Sequence, residues 1–312
     1  MNVKSKLGTR QVLNRYGLVI VIVLVAVAFS VINRLFLLPD NLINIARQMA
    51  VTAIVSVGMT FVMISGDIDV GVGGVACLTG MIVSLAMKSG VNMWLALVFG
   101  LLVGAMLGAV NGLLVTSFSL PSMVVTLAMM NFANGVASIL TGGTAVYGLP
   151  DEFLFIGRGS LLFIPSQVII MAVLAVAGVI VLRKTPFGRH VYAIGGNKEV
   201  AKLSGINVKR TRILLYIVSG ICAAIGGIIL TSRTASGQPN LATTMNMNVI
   251  TAVAIGGTSL NGGSGTIGGS LLGALLLTMI TNGLNVNGID SFWQLVVSAI
   301  VLIITIIAYR ND

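Results

Sequence analysis

Between Arg183 and Arg212 the chain is polar, and on either side of it lie apolar runs long enough to cross a bilayer. The stretch reads RKTPFGRHVYAIGGNKEVAKLSGINVKRTR and holds eight of the chain's 18 Lys and Arg residues: Arg183, Lys184, Arg189, Lys198, Lys202, Lys209, Arg210 and Arg212. Its one acidic residue is Glu199. A short basic segment between membrane-length helices stays on the cytoplasmic side. That placement fixes the orientation of every other segment, and it marks where a soluble cytoplasmic partner can dock.

Of the 312 residues, 56% are hydrophobic and 8% are charged, against about 25% charged in soluble domains. The apolar runs recur at about 18–22 residues, the length a helix needs to span a bilayer. The sequence therefore reads as an all-α polytopic membrane protein with a single transmembrane domain over 1–312. Strict apolar/polar alternation is absent, which excludes a membrane β-barrel. The net charge of +10 reflects loop orientation and contact with anionic lipid headgroups, not nucleic-acid binding. Cys77 and Cys222 both sit in apolar helices and indicate neither a disulfide nor a metal site. Asn33 and Arg34 follow the first apolar run where a signal peptide would have small residues, so that run is an uncleaved first helix.

Ten candidate spans follow, at about 17–37, 42–64, 70–87, 92–115, 121–140, 163–182, 212–232, 246–259, 266–285 and 291–309. The basic N-terminus, 1–16, belongs inside. Six crossings return the chain inside at 183–212, and four more put the C-terminus inside as well. The outside loops then carry few cations: Arg34, Lys88, Arg158 and Arg233. The longest outside segment, 141–165, contains Gly142, Gly143, Gly148, Pro150 and Asp151-Glu152. It is read as a lid, a docking rim for an external partner, or a plain solvated loop.

Glycines organise the spans. Gly100, Gly104, Gly108 and Gly112 form three consecutive G-x-x-x-G units on one face of the fourth helix. Small residues at that spacing let two helix backbones approach closely in lipid. The neighbour is a helix of the same chain or of a second copy. Two further stretches break their helices: Ser65-Gly66-Asp67-Ile68-Asp69, continuing to Gly74, and Gly256 to Gly265, continuing to Gly269. Irregular backbone at membrane depth must be buried in protein or line a watery cavity. Similar breaks in both halves of a chain suggest an inverted pseudo-repeat around a pathway.

Asp67 and Asp69 are carboxylates between apolar spans, and such groups are functional by default. The competing reading has them capping the next helix at the cytoplasmic interface. Arg47, inside the second span, either snorkels to the interface or faces the pore. Gly263-Ser264-Gly265-Thr266-Ile267-Gly268 matches G-x-G-x-x-G, but no soluble βαβ unit surrounds it. Ser264 in its glycine setting lacks a base for nucleophilic chemistry, because the only histidine, His190, lies in the basic stretch. No G-x-x-x-x-G-K-[ST] loop occurs, so the chain has no ATPase of its own. No catalytic group, metal site or cofactor is indicated.

Glu199-Val200-Ala201-Lys202-Leu203-Ser204-Gly205 resembles the E-A-A-x-x-x-G coupling loop of ABC importer permeases, with Val200 in place of the first Ala. VGMTFVMISGDIDVGVGGVACLTG (57–80), TPFGRHVYAIGGNKEVAKLSGINV (185–208) and AIGGTSLNGGSGTIGGSLLGALL (254–276) resemble the ribose/xylose/galactoside branch of that family, in the same order and spacing. Nearly the whole chain is covered. The resemblance implies a permease in the bacterial cytoplasmic membrane that imports a ribose-like monosaccharide by alternating access. Its partners would be a cytoplasmic ATP-binding subunit docked at Glu199, Ala201 and Gly205, an extracytoplasmic sugar-binding protein, and a second permease copy of the same or a related chain. Asp67, Val70 and Gly71 stand where the family usually has Gly, Leu and Ser. Asn246-Met247-Asn248 stands where it often has Glu-Leu-Asp. Asp67, Asp69, Asn246, Asn248 and Asn261 are the pathway candidates, since Asn can both donate to and accept from sugar hydroxyls. Two other classes stand beside this one: an ion-coupled secondary transporter using Asp67 and Asp69, and a membrane component with no transport role, against which the paired breaks argue.

Overall fold

Pro39 opens the second long helix and Asp40 lies in its first turn, where both are favourable. The computed structural model describes residues 3–290, 292–297, 299, 300 and 303. In chain order the helices are α1 (Val3–Ile32), α2 (Pro39–Ile64), α3 (Val72–Lys88), α4 (Met93–Ser117), α5 (Ser122–Thr141), α6 (Asp151–Arg158), α7 (Ser166–Lys184), α8 (Pro186–Gly196), α9 (Lys198–Leu203), α10 (Val208–Thr234), α11 (Met245–Ile255) and α12 (Ile267–Val286). A two-stranded antiparallel hairpin pairs Ser160 with Pro165 and Leu161 with Ile164.

Among the described residues, six helices are long and apolar enough to cross a membrane: α2, α4, α5, α7, α10 and α12. Three shorter apolar helices occupy the expected first, third and eighth spans, at Gly17–Ile32, Val72–Lys88 and Met245–Ile255. Among the described residues, nine of the ten expected spans thus have a helix in the expected order, six of them long enough to cross a membrane. α1 stops at Ile32 because Asn33 turns extended and takes the Leu35 N–H, starting a short 3-10 turn over Arg34–Leu37. α11 ends before Gly256 and covers about 16 Å at 1.5 Å per residue, half the apolar thickness of a bilayer. The expected span 291–309 lies largely outside the described residues.

α2 and α10 form the centre. Every residue of α2 from Ala53 to Ile64 is buried, as expected of a helix apolar all round. α4 and α7 instead present exposed Leu95, Phe99, Leu102, Met106, Val173, Val176 and Ile180, the apolar surface that lipid covers.

The G-x-x-x-G face of α4 packs inside this chain. A Cβ on Gly104 would lie 2.6 Å from the Gly220 carbonyl oxygen of α10, and one on Gly112 would lie 2.7 Å from Ile213 Cα. Gly108 meets the Tyr216 carbonyl in the same seam, while Gly100 meets Val83 of α3. On α12, Gly269 and Gly273 lie against Gly256 and Ala252 of the α11 end in the same way.

The segment 141–165 is more ordered than a plain loop. It contains α6 and the hairpin, and Val146 forms a bridge with Gly237. The two glycine-broken stretches also differ from expectation, because they touch each other. The Gly263 N–H donates to the Ile64 carbonyl at 2.9 Å, so the two breaks meet.

Candidate functional site

The polar junction forms where the α2–α3 connector, the α11–α12 connector and the basic stretch meet. α2 ends in a turn in which Gly66 and Asp67 donate to the Met63 and Val62 carbonyls. The chain then passes the start of α5, where the Val70 N–H donates to Thr126 Oγ1 at 3.0 Å and the Ile68 N–H to Ser122 Oγ at 3.3 Å. These contacts hold both carboxylates in place.

Asp67 is 3% exposed. Arg212, in the first turns of α10, closes on it with Nε to Oδ2 at 2.8 Å and Nη2 to Oδ1 at 2.7 Å. This is the bidentate fork that a guanidinium and a carboxylate fit best. Lys198 Nζ, at the first residue of α9, lies 3.7 Å from the same Oδ1. Asp69 is also buried. Its Oδ2 accepts from Ser219 of α10 at 2.7 Å and its Oδ1 accepts from the Gly71 N–H at 3.0 Å. Burial raises its carboxyl to about 6, and the two hydrogen bonds act the other way. The two acids therefore have different roles: Asp67 is a buried counter-ion, and Asp69 ties the start of α3 to α10.

α8 wedges between the two connectors. Its Tyr192 hydroxyl donates to the Gly265 carbonyl at 2.8 Å, and its Gly195 backbone lies against the Ile64 carbonyl and the Gly263 N–H, where no side chain fits. Asn197 then caps α9, its Oδ1 accepting from the Glu199 and Val200 N–H groups at 3.0 and 3.1 Å. Gly205 ends the helix at φ +81°. The Gly205 N–H donates to the Lys202 carbonyl and the Ile206 N–H to the Ala201 carbonyl, the left-handed closure that glycine favours. Ala201 faces inward and is buried, while Glu199, Val200 and Leu203 face out, Leu203 at 87% exposure. The short helix thus offers two apolar side chains to whatever covers it, with its opposite face joined to the core.

The five pathway candidates do not come together. Asp67 and Asp69 belong to the junction, and Asn261 is exposed on the α11–α12 connector beside Gly66. Asn246 is buried, with its amide at 3.4 Å from Met130 Sδ. Asn248 lines a cavity of about 230 Å³ near the opposite end of the bundle. Arg47 is half-buried, and its Nε has no partner among the described residues. In the sequence Arg212 is only one cation of the basic stretch. The signal that points to it is a carboxylate set between apolar spans, which needs a counter-ion. Among the described residues no cluster of three or more His, Cys, Asp or Glu is placed to hold a metal.

Apolar outward faces around a buried polar junction define a multi-pass membrane protein. Residues 41–306 match the family described as branched-chain amino acid transport system / permease component. The ribose import permease protein RbsC of Bacillus subtilis is 40% identical over 95% of this chain and 91% of its own length. RbsC of Escherichia coli K12 is 38% identical over 93% and 92%, respectively. The L-arabinose ABC transporter permease protein AraH of Azospirillum brasilense is 31% identical over 99% and 92%. The chain belongs to this permease family, as an ABC permease of the branch that includes the ribose permeases. No solved structure matches it.

Proposed function

We propose that this protein is the membrane-spanning permease subunit of an ATP-driven importer of a ribose-like monosaccharide, acting in the bacterial cytoplasmic membrane with both termini and 183–212 inside. The ribose and arabinose names of its relatives support the sugar, over the amino acids in the family's description. The single observation that carries the mechanism is α9: Lys198 at its first residue lies beside the buried Asp67–Arg212 pair, while Val200 and Leu203 point outward. An ATP-binding subunit that grips Val200 and Leu203 pulls directly on the connector between α2 and α3 and on the start of α10. Two inward- and outward-open states, biased by that grip, then give alternating access.

A second copy completes the pore. Asn131 and Asn134, in the middle of α5, and Ser138, in its last turn, lie on one face of a helix of spanning length. Asn131 is exposed, Asn134 Oδ1 has no partner among the described residues, and nothing approaches Gly135. Polar groups on such a helix face a bundle interior or a watery path, not lipid. Two copies meeting along α5 place that face on the translocation path. The ordered segment 141–165, on the opposite side from α9, is the docking rim for an external sugar-binding protein.

The test is uptake of labelled ribose in cells carrying or lacking this chain. Uptake that needs the chain, survives an uncoupler and stops on ATP depletion supports the proposal. Uptake that survives ATP depletion and collapses with the ion gradient establishes the secondary-transporter alternative. The structure gives that alternative no support at Asp67, whose charge is already matched by Arg212.

A further inference from the structure

A second polar feature lies far from the junction. Arg233 is 21 residues beyond Arg212 on α10, about 30 Å along the helix at 1.5 Å per residue. It helps line the 230 Å³ cavity between α2, α10, the 241–248 segment and α12. Arg233 has no carboxylate within ion-pair distance among the described residues. Arg233 is half-buried in the last turn of α10, and a guanidinium partly withdrawn from water favours an anion beside it.

The rest of the lining matches an anion that also carries hydroxyls. Gln48 and Thr52 stand one turn apart on α2, and Asn248 faces them from α11. None of these three side chains has a hydrogen-bond partner among the described residues. Gln48 and Asn248 each bring two donors and an acceptor, and Thr52 brings a hydroxyl. The floor is apolar, made by Val51, Leu230 and Met245, and suits the C–H face of a short carbon skeleton. The volume is below the range of about 300–1,000 Å³ typical of drug-sized ligands.

We infer that this cavity is a binding site for a small hydroxylated oxyanion, held by Arg233 and by the free amides and hydroxyl of Gln48, Asn248 and Thr52. That chemistry has two sources: a sugar acid or sugar phosphate from solution, or the phosphoglycerol headgroup of an anionic lipid. The site stands whether or not the permease carries ribose, because its test uses the permease alone and measures no transport.

The full-length protein is reconstituted in nanodiscs of phosphatidylcholine and titrated calorimetrically with gluconate, glycerol 1-phosphate and, as the neutral control, ribose. A second preparation in phosphatidylglycerol is assayed for retained lipid by native mass spectrometry. Anion binding from solution, with ribose at least ten-fold weaker, supports the site with a solute source. One phosphatidylglycerol retained per copy, with no binding from solution, supports it with a lipid source. In either case R233Q must weaken the interaction at least ten-fold, and N248A, which keeps the guanidinium, must weaken it measurably. No anion held from either source, ribose bound as well as gluconate, or binding unchanged in both variants overturns the inference.

Discussion

Arg212 and Asp67 are 145 positions apart in sequence, yet the guanidinium closes both arms of its fork on the carboxylate at 2.7 and 2.8 Å. The pair joins the start of α10 to the connector leaving α2, the two central helices of the bundle. With Lys198 beside it, it is also the point where α9 reaches the core. Replacing Asp67 with Asn leaves a buried guanidinium without its counter-ion, at a cost of about 3–5 kcal/mol. Thermal unfolding in detergent should show D67N strongly destabilised and D67L/R212M less so than D67N. Equal destabilisation of both would mean that the charge pairing is incidental.

Asp69 gives a pH dependence of definite sign. Its folded carboxyl titrates near 6 against 3.8 for the free group, so between these values the folded state binds more protons than the unfolded one. Stability from this group is fullest below about pH 4 and falls as pH rises through 6. Asp69→Asn keeps an acceptor for the Gly71 N–H and a polar group toward Ser219. Melting temperature measured from pH 4 to 7 should decline less steeply in D69N than in the parent, and parallel curves would contradict the assignment.

Gly205 closes α9, the segment proposed above to couple the permease to its ATPase. At φ +81° an Ala costs about 1–2 kcal/mol, whereas a Pro ring holds φ near −65° and removes the N–H bonded to Lys202. Sugar uptake should be reduced in G205A and abolished in G205P, with both proteins still inserted in the membrane. Normal uptake by G205P would remove α9 from the mechanism.

The α4–α10 seam has no room for side chains at Gly104. Gly104→Val should lower stability by about 1–3 kcal/mol, the range for overpacking. Gly135→Val, on the open face of α5, should leave the stability of the single copy unchanged. Thermal unfolding checks both variants, and a native gel reads the oligomer. A shift of G135V toward the monomer would support the α5 dimer seam, and an unshifted dimer would place the seam elsewhere.

Some of this was legible in the sequence, and the reason differs from residue to residue. The G-x-x-x-G spacing on α4 requires a close neighbour, but the matching surface of α10, from Ile213 to Ala224, offers only the single small pair Gly220 and Ala224 to mark it as the partner. α9 was legible because a cap, a short amphipathic turn and a terminal glycine are local features. The contact between Ile64 and Gly263 was not, since a backbone hydrogen bond across 199 positions leaves no pattern of side chains. Asn248 points toward the cavity because it is polar in an apolar run. Arg233 reads in the sequence as an outer-loop cation, and only the packing of α2, α10 and α12 places Gln48, Thr52 and Arg233 around one space.

We propose that α9 couples this permease to an ATPase through Val200 and Leu203. The most direct test is affinity purification of the tagged protein in mild detergent, with its companions identified by mass, alongside V200E/L203E. A nucleotide-binding ATPase subunit should accompany the parent and be lost from the variant, which stays folded because both side chains are exposed. An ATPase retained equally by the variant, or absent from the parent, would contradict it.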